Sequence, residues 1–236
     1  MHPELPKLLD LQAKDSAIAA IDAELAALDD ELNALDQSRQ RAADALANAQ
    51  RAADEGAHRR VELETKIESY RTLQERRKQR LEAVRSPKEA AAAMAEMDLA
   101  RSVMAKEEAE WLRSAGQVEQ LEAKVAEEQR LLAETEAAQT APRAALAERR
   151  GVLEGERDRL LHNREDAAAK LERSLRVRYD RLRRARATAA VVVPLRGDAC
   201  GACFTAVPRN RRSQIRAGAV LDGCEACGVI LYADGA

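Results

Sequence analysis

From Leu11 to Val84 the apolar residues of this chain alternate by three and four positions without a slip, and 16 of the 22 positions in that frame are apolar. A 3.5-residue period held over about ten heptads is the signature of a coiled-coil seam, not of an ordinary amphipathic helix. At about 1.5 Å per residue the segment would be roughly 110 Å long. The frame is filled out by Lys14, Arg39, Gly56, Arg60, Gln74 and Arg77. Composition agrees: 34% of residues are charged and 2% aromatic, the bias of long helices that bury a narrow strip instead of a thick core.

The run stops at Arg85-Ser86-Pro87-Lys88-Glu89. Ser86 can cap a new helix, Pro87 suits its first position, and Glu89 completes a capping box. With almost no linker, the simplest geometry is a tight reversal near 85–88 that packs the second helix back along the first. That helix carries large apolar residues every seventh position at Met97, Met104, Trp111, Val118, Val125 and Leu132, and again at Leu146, Leu153, Leu160 and Ala167. Thr140-Ala141-Pro142 lies between the two sets, so a kink or short break is expected at 140–142: a bend that wraps the partner, or a hinge. The seam arginines Arg39, Arg60 and Arg77 either pair with glutamates across the hairpin and fix its register, or weaken the seam so that a partner helix can enter.

The helix is expected to continue through Leu171, Leu175 and Leu182 and to fray near Ala189, placing a domain boundary at 190: a mainly α, antiparallel two-helix hairpin over 1–190, then, around the four clustered cysteines Cys200, Cys203, Cys224 and Cys227, a small β-rich zinc ribbon over 191–236. Strands are expected at Val191–Leu195, Thr205–Val207, Ala219–Asp222 and Val229–Tyr232, with Pro194 making the first an edge or terminal strand and a helical turn at Pro208–Ala217.

Cys200-Gly201-Ala202-Cys203 and Cys224-Glu225-Ala226-Cys227 are two CxxC pairs 20 residues apart. Four thiolates at this spacing suit one tetrahedral zinc ion, with Gly228 allowing the second knuckle a positive φ. Four ligands would leave no open position, making the zinc structural. The alternatives are two disulfides, which a reducing compartment disfavours, or a redox dithiol at Cys200–Cys203, which lacks its usual βαβ setting. No run of about 18 uncharged apolar residues is present, and the first residues lack a signal peptide's apolar core, so a cytoplasmic protein without a membrane span is expected.

Net charge is −2, but between Arg173 and Arg216 twelve arginines face only Asp180 and Asp198, giving +10 there and −12 elsewhere. Arg178, Arg181, Arg183, Arg184, Arg186, Arg209, Arg211, Arg212 and Arg216 are therefore candidates for contact with an RNA or DNA backbone or an acidic partner; a solvated helix end is the plainer reading. Phe204, Tyr179 and Tyr232 are the aromatics near this patch that could stack on bases, though Phe204 and Tyr232 equally suit the ribbon's small core. His2, His58 and His162 read as solvated. No catalytic motif or phosphate-binding glycine loop appears, so neither enzymatic activity nor a small-molecule substrate is expected.

The C-terminal run Cys224-Glu225-Ala226-Cys227-Gly228-Val229-Ile230-Leu231-Tyr232, together with Lys88-Glu89 after the hairpin tip, resembles a bacterial family of four-cysteine zinc ribbons with an N-terminal helical hairpin. Many members carry a basic residue where this chain has Val229. Its members are regarded as nucleic-acid-binding proteins or as adaptors that touch transcription, flagellar or secretion components. The resemblance thus implies a nucleic-acid-binding regulator or, alternatively, a protein adaptor that docks a partner through its coiled coil. Two hairpins could also associate as a homodimer.

Overall fold

A computed structural model describes residues 2–186 and 190–233 of the chain. Its elements are α1 (Leu5–Ala83), α2 (Pro87–Ala169), α3 (Arg173–Ala185), β1 (Val192–Arg196), β2 (Ala199–Cys200), α4 (Arg209–Arg216), β3 (Asp222–Gly223) and β4 (Ile230–Tyr232). Contacts divide the chain into two units, Asn33–Pro142 and Met1–Leu32 with Arg143–Ala236, and each long helix contributes to both.

Within Asn33–Pro142 the helices run antiparallel. Arg39 meets Glu136, Arg59 meets Glu110 and Trp111 Nε1 donates to Glu64, so the numbers rise on one helix as they fall on the other. α1 ends at Ala83 and α2 begins at Pro87, whose first backbone bond runs from the Ala90 amide to the Ser86 carbonyl at 2.9 Å. The expected seam is the face that closes: of its 22 positions across α1 and the turn, Arg39 is the one that is exposed. Arg39 reaches Glu136 at 3.2 Å, as a register-fixing pair should, whereas Arg77 donates to the backbone carbonyl of Glu96 at 3.3 Å. Arg60 instead lies 3.7 Å from Glu64 of its own helix.

α2 passes through Pro142 without a break. The two heptad sets on either side are one frame, since Gln139 falls seven residues after Leu132 and seven before Leu146. Gln139 is buried at that position, and its side-chain amide donates to the Leu35 carbonyl at 2.8 Å.

In the unit formed by Met1–Leu32 and Arg143–Ala236 the antiparallel pairing is set by charge. Aspartates recur every seventh residue of α1 at 15, 22 and 29, and arginines every seventh residue of α2 at 150, 157 and 164. They meet as Asp15–Arg164 at 3.1 Å, Asp22–Arg157 at 2.6 Å, and Asp29–Arg150. The two outward pairs, Asp22–Arg157 and Asp29–Arg150, add only about 0.2–1 kcal/mol each. Spaced by seven, the three penalise every slip that is not a multiple of seven residues, and a slip of seven still forfeits one of the three pairs.

The second helix does not continue toward 190. It ends at Ala169, where the Lys170 and Leu171 amides tighten onto the Ala167 and Ala168 carbonyls, and α3 starts afresh at Arg173. The break turns Tyr179 into a core of Leu5, Leu8 and Leu11 from α1, with Ala167, Ala168, Val191, Val192 and Ile230. The expected fraying near Ala189 lies outside the described residues.

The four strands form one sheet in the order β2-β1-β4-β3, with β1 and β4 parallel and the other pairs antiparallel. Alternate side chains serve two cores. Val192 and Ile230 face the helices, whereas Val193 and Leu231 join Val207, Ile215, Cys200, Cys224 and Val229 inside the ribbon. Of the edge or terminal placement expected from Pro194, the edge does not hold: β1 is the first strand in sequence but lies between β2 and β4. It tolerates proline because two-residue β2 pairs only with Leu195 and Arg196, so no ladder bond is asked of the Pro194 nitrogen. The strand expected at Thr205–Val207 is reduced to a single bridge between Ala199 and Ala206.

Candidate metal centre

The four cysteines converge. Their sulfurs lie within 4.8 Å of one another, with Cys200 Sγ 3.8 Å from Cys227 Sγ and Cys203 Sγ 3.6 Å from Cys224 Sγ. Sulfurs placed 2.3 Å from a common tetrahedral metal would be about 3.8 Å apart, so the donor set matches a closed four-thiolate site. A disulfide needs about 2.05 Å, and all four cysteines are free.

Each pair sits on the same backbone turn. In the first, the Cys200 amide donates to the Thr205 carbonyl and the Phe204 amide to the Cys200 carbonyl; in the second, Cys224 bonds Val229 and Gly228 bonds Cys224 in the same way. The residue after each second cysteine takes a positive φ: +79° at Gly228 and +59° at Phe204. Glycine adopts this conformation without strain, whereas an aromatic residue does so only when the surrounding structure demands it. Gly201 is required for another reason: a Cβ there would run into the Pro194 carbonyl oxygen.

The thiols are electrostatically unequal. A hydrogen bond with the Thr205 hydroxyl at 3.3 Å pulls Cys203 down to about 6. Burial pushes Cys227 up to about 12 and Cys200 upward as well. Desolvated thiolates of like charge resist joint ionisation, a penalty that a bound divalent cation would remove.

Most of the C-terminal arginines are structural ties. Arg178 donates to the Leu221 carbonyl at 3.3 Å and Arg186 to the Cys227 carbonyl at 3.0 Å, linking α3 to the cysteine loop. Arg183 lies 3.0 Å from Asp15. Within the ribbon, Arg211 holds Asp222 at 2.5 Å and also Glu225, while Arg212 pairs with Asp198 and Arg216 donates to the Gly197 carbonyl. Arg184 is exposed, its Nε 3.4 Å from the Asp180 carbonyl. Arg181 and Arg209 are exposed and make no ion pair among the described residues. Of the aromatics, Tyr179 is only 1% exposed and is unavailable for stacking. Tyr232 packs against the helix-facing core, and Phe204 projects outward with the Arg196 guanidinium 5.9 Å over its ring.

The residues that hold the ribbon to the helices are ones that seam periodicity does not reveal. Gln12 on α1 behaves like one rung of a strand: its side-chain oxygen accepts from the Val191 and Val192 amides at 2.9 and 2.7 Å, and its nitrogen donates to the Val192 carbonyl at 2.9 Å. One turn on, buried Asp15 accepts from the Tyr179 hydroxyl at 2.8 Å and from Arg164 at 3.1 Å, and Arg164 also reaches Asp180 at 2.5 Å. The spacing of aspartates and arginines by seven is the signal that could have exposed Asp15 and Arg164; Gln12 and Tyr179 carry none.

Neither a protein family nor a curated protein matches the chain. Three solved structures share its fold along nearly its whole length. CT398 from Chlamydia trachomatis superposes with a TM-score of 0.86 at 20% identity, over 98% of this chain and 97% of its own. HP0958 from Helicobacter pylori gives 0.73 at 17%, over 99% and 98%. A protein from Mycobacterium smegmatis gives 0.66 at 24%, over 99% and 100%. At such identities the likeness establishes the fold alone. No helix among the described residues is long and apolar enough to cross a membrane.

Proposed function

We propose that this chain is a non-enzymatic cytoplasmic adaptor in which one zinc ion folds the ribbon and the hairpin docks a protein partner. The observation that carries the reading is the exposed apolar side chains of α2: Met94, Leu99 and Leu112 stand 59%, 67% and 68% exposed. Met94 and Leu112 are 18 residues, five turns, apart and so share one face of α2, the kind of exposed apolar face on which partner helices dock. The engagement of Arg178, Arg183, Arg186, Arg211 and Arg212 within the fold supports the same reading, because it assigns them to holding the ribbon. A photo-cross-linking residue at Met94 of the zinc-loaded protein is expected to give an adduct with one protein species, lost in Leu112→Asp. Adducts from a probe at Arg209 to nucleic acid, with none from Met94, would contradict the adaptor reading. A second reading, RNA or DNA backbone contact at the ribbon end, is favoured by the exposed Arg181, Arg184 and Arg209. It requires salt-sensitive binding that their reversal to glutamate abolishes.

A further inference from the structure

Between Arg76 and Lys88, where α1 gives way to α2, six basic residues face one acidic residue, Glu82, for a local charge of +5. The rest of Asn33–Pro142 is opposite in sign: 12 basic and 20 acidic residues, or −8. Arg77 is turned inward onto the Glu96 carbonyl. The other five, Arg76, Lys78, Arg80, Arg85 and Lys88, are exposed and make no ion pair among the described residues. In this they differ from the arginines around the metal centre, most of which are tied down.

Unpaired cations concentrated at one point of an otherwise acidic unit repel one another, and an anionic partner relieves that repulsion. The chemistry around them selects the partner. Protein interfaces are built on a buried apolar centre, and no large apolar side chain is exposed between Leu73 and Met94. Single-stranded nucleic acid needs aromatic platforms, and the sequence has none between Tyr70 and Trp111. A regularly spaced row of phosphates needs neither. We infer that the hairpin tip is a contact site for the phosphate backbone of duplex nucleic acid, bound without base recognition through Arg76, Lys78, Arg80, Arg85 and Lys88. This goes beyond the adaptor reading and does not depend on it: the tip gives the molecule a nucleic-acid contact separate from the exposed leucines of α2.

The test is fluorescence anisotropy of a labelled DNA duplex with the full-length, zinc-loaded protein at about 50 and about 200 mM salt, the range over which counterion release changes affinity most visibly. Wild type is compared with the triple variant Arg76→Glu, Arg80→Glu, Arg85→Glu and with a ribbon-end variant Arg181→Glu, Arg184→Glu, Arg209→Glu. All six side chains are exposed, and unchanged circular dichroism serves as the folding control. The tip variant is expected to lose at least tenfold in affinity and to flatten the slope of log K against log salt by about 2–3, roughly 0.9 for each lost phosphate contact. The ribbon-end variant should bind within about threefold of wild type. Absence of duplex binding at the lower salt, equal affinity of wild type and tip variant, or displacement of the duplex by poly-glutamate at matched charge would each overturn the inference.

Discussion

Removing the carboxylate of Asp15 should free the ribbon end from the helices. Asp15 is 6% exposed and receives the Tyr179 hydroxyl, the Arg164 Nε and, at 3.0 Å, the Arg183 guanidinium. Breaking a buried pair from one side costs about 3–5 kcal/mol, because the other charge is left without a partner. Arg164 keeps Asp180 at 2.5 Å, and Arg183 is about a third exposed and can turn to water, so Asp15→Ala falls at the lower end, about 3 kcal/mol. Tyr179→Phe keeps the ring but removes one bond to a charged acceptor, about 1.5–3 kcal/mol. Hydrogen exchange over 173–185 and at the Val191 and Val192 amides reads both: Asp15→Ala is expected to raise local opening about a hundredfold. The double variant should show a coupling of at least 0.5 kcal/mol. Burial, reinforced by the Asp15 charge, holds the Tyr179 phenol well above its ordinary value. Its contribution is therefore complete below about pH 10 and lost as pH rises through the higher folded value, a loss that Tyr179→Phe eliminates. A threefold or smaller change in exchange for Asp15→Ala, or additive effects in the cycle, would refute this account of the clasp.

Gln12→Ala strands the Val191 and Val192 amides and should cost about 1–3 kcal/mol, seen as faster exchange at those two positions with the rest of α1 unchanged. Gly201→Ala drives a methyl group into the Pro194 carbonyl and is expected to weaken metal retention in a chelator competition, while Ala202→Gly leaves it intact. Asp22→Arg should lower the melting temperature of the helices, and adding Arg157→Asp should restore it, because the swapped pair re-creates the same register contact.

The hairpin was legible because its physics is periodic: a seam that must stay dry repeats every 3.5 residues, and any sequence obeying that repeat displays it. The cysteine centre was legible because tetrahedral coordination restricts ligand spacing. The helix break at Lys170–Glu172 was not, since Leu171, Leu175 and Leu182 keep a helical rhythm across it; burial of Tyr179 on Asp15, 164 residues away, decides the turn. The same long range hid the role of the arginines. The partners of Arg178, Arg183 and Arg186, namely Asp15 and the Leu221 and Cys227 carbonyls, come from distant segments or from the backbone, which carries no sequence signal. The positive φ of Phe204 was not legible, because that conformation is written into sequence only when glycine supplies it.

Native mass spectrometry of the full-length protein, purified without added metal or chelator, tests the central claim that a metal folds the ribbon. One zinc ion per chain is expected, with the four thiols unreactive toward an alkylating reagent until a chelator removes it and exchange over 191–233 rising at the same time. A metal-free chain whose ribbon is equally protected, or a mass lower by four hydrogens that marks two disulfides, would contradict it.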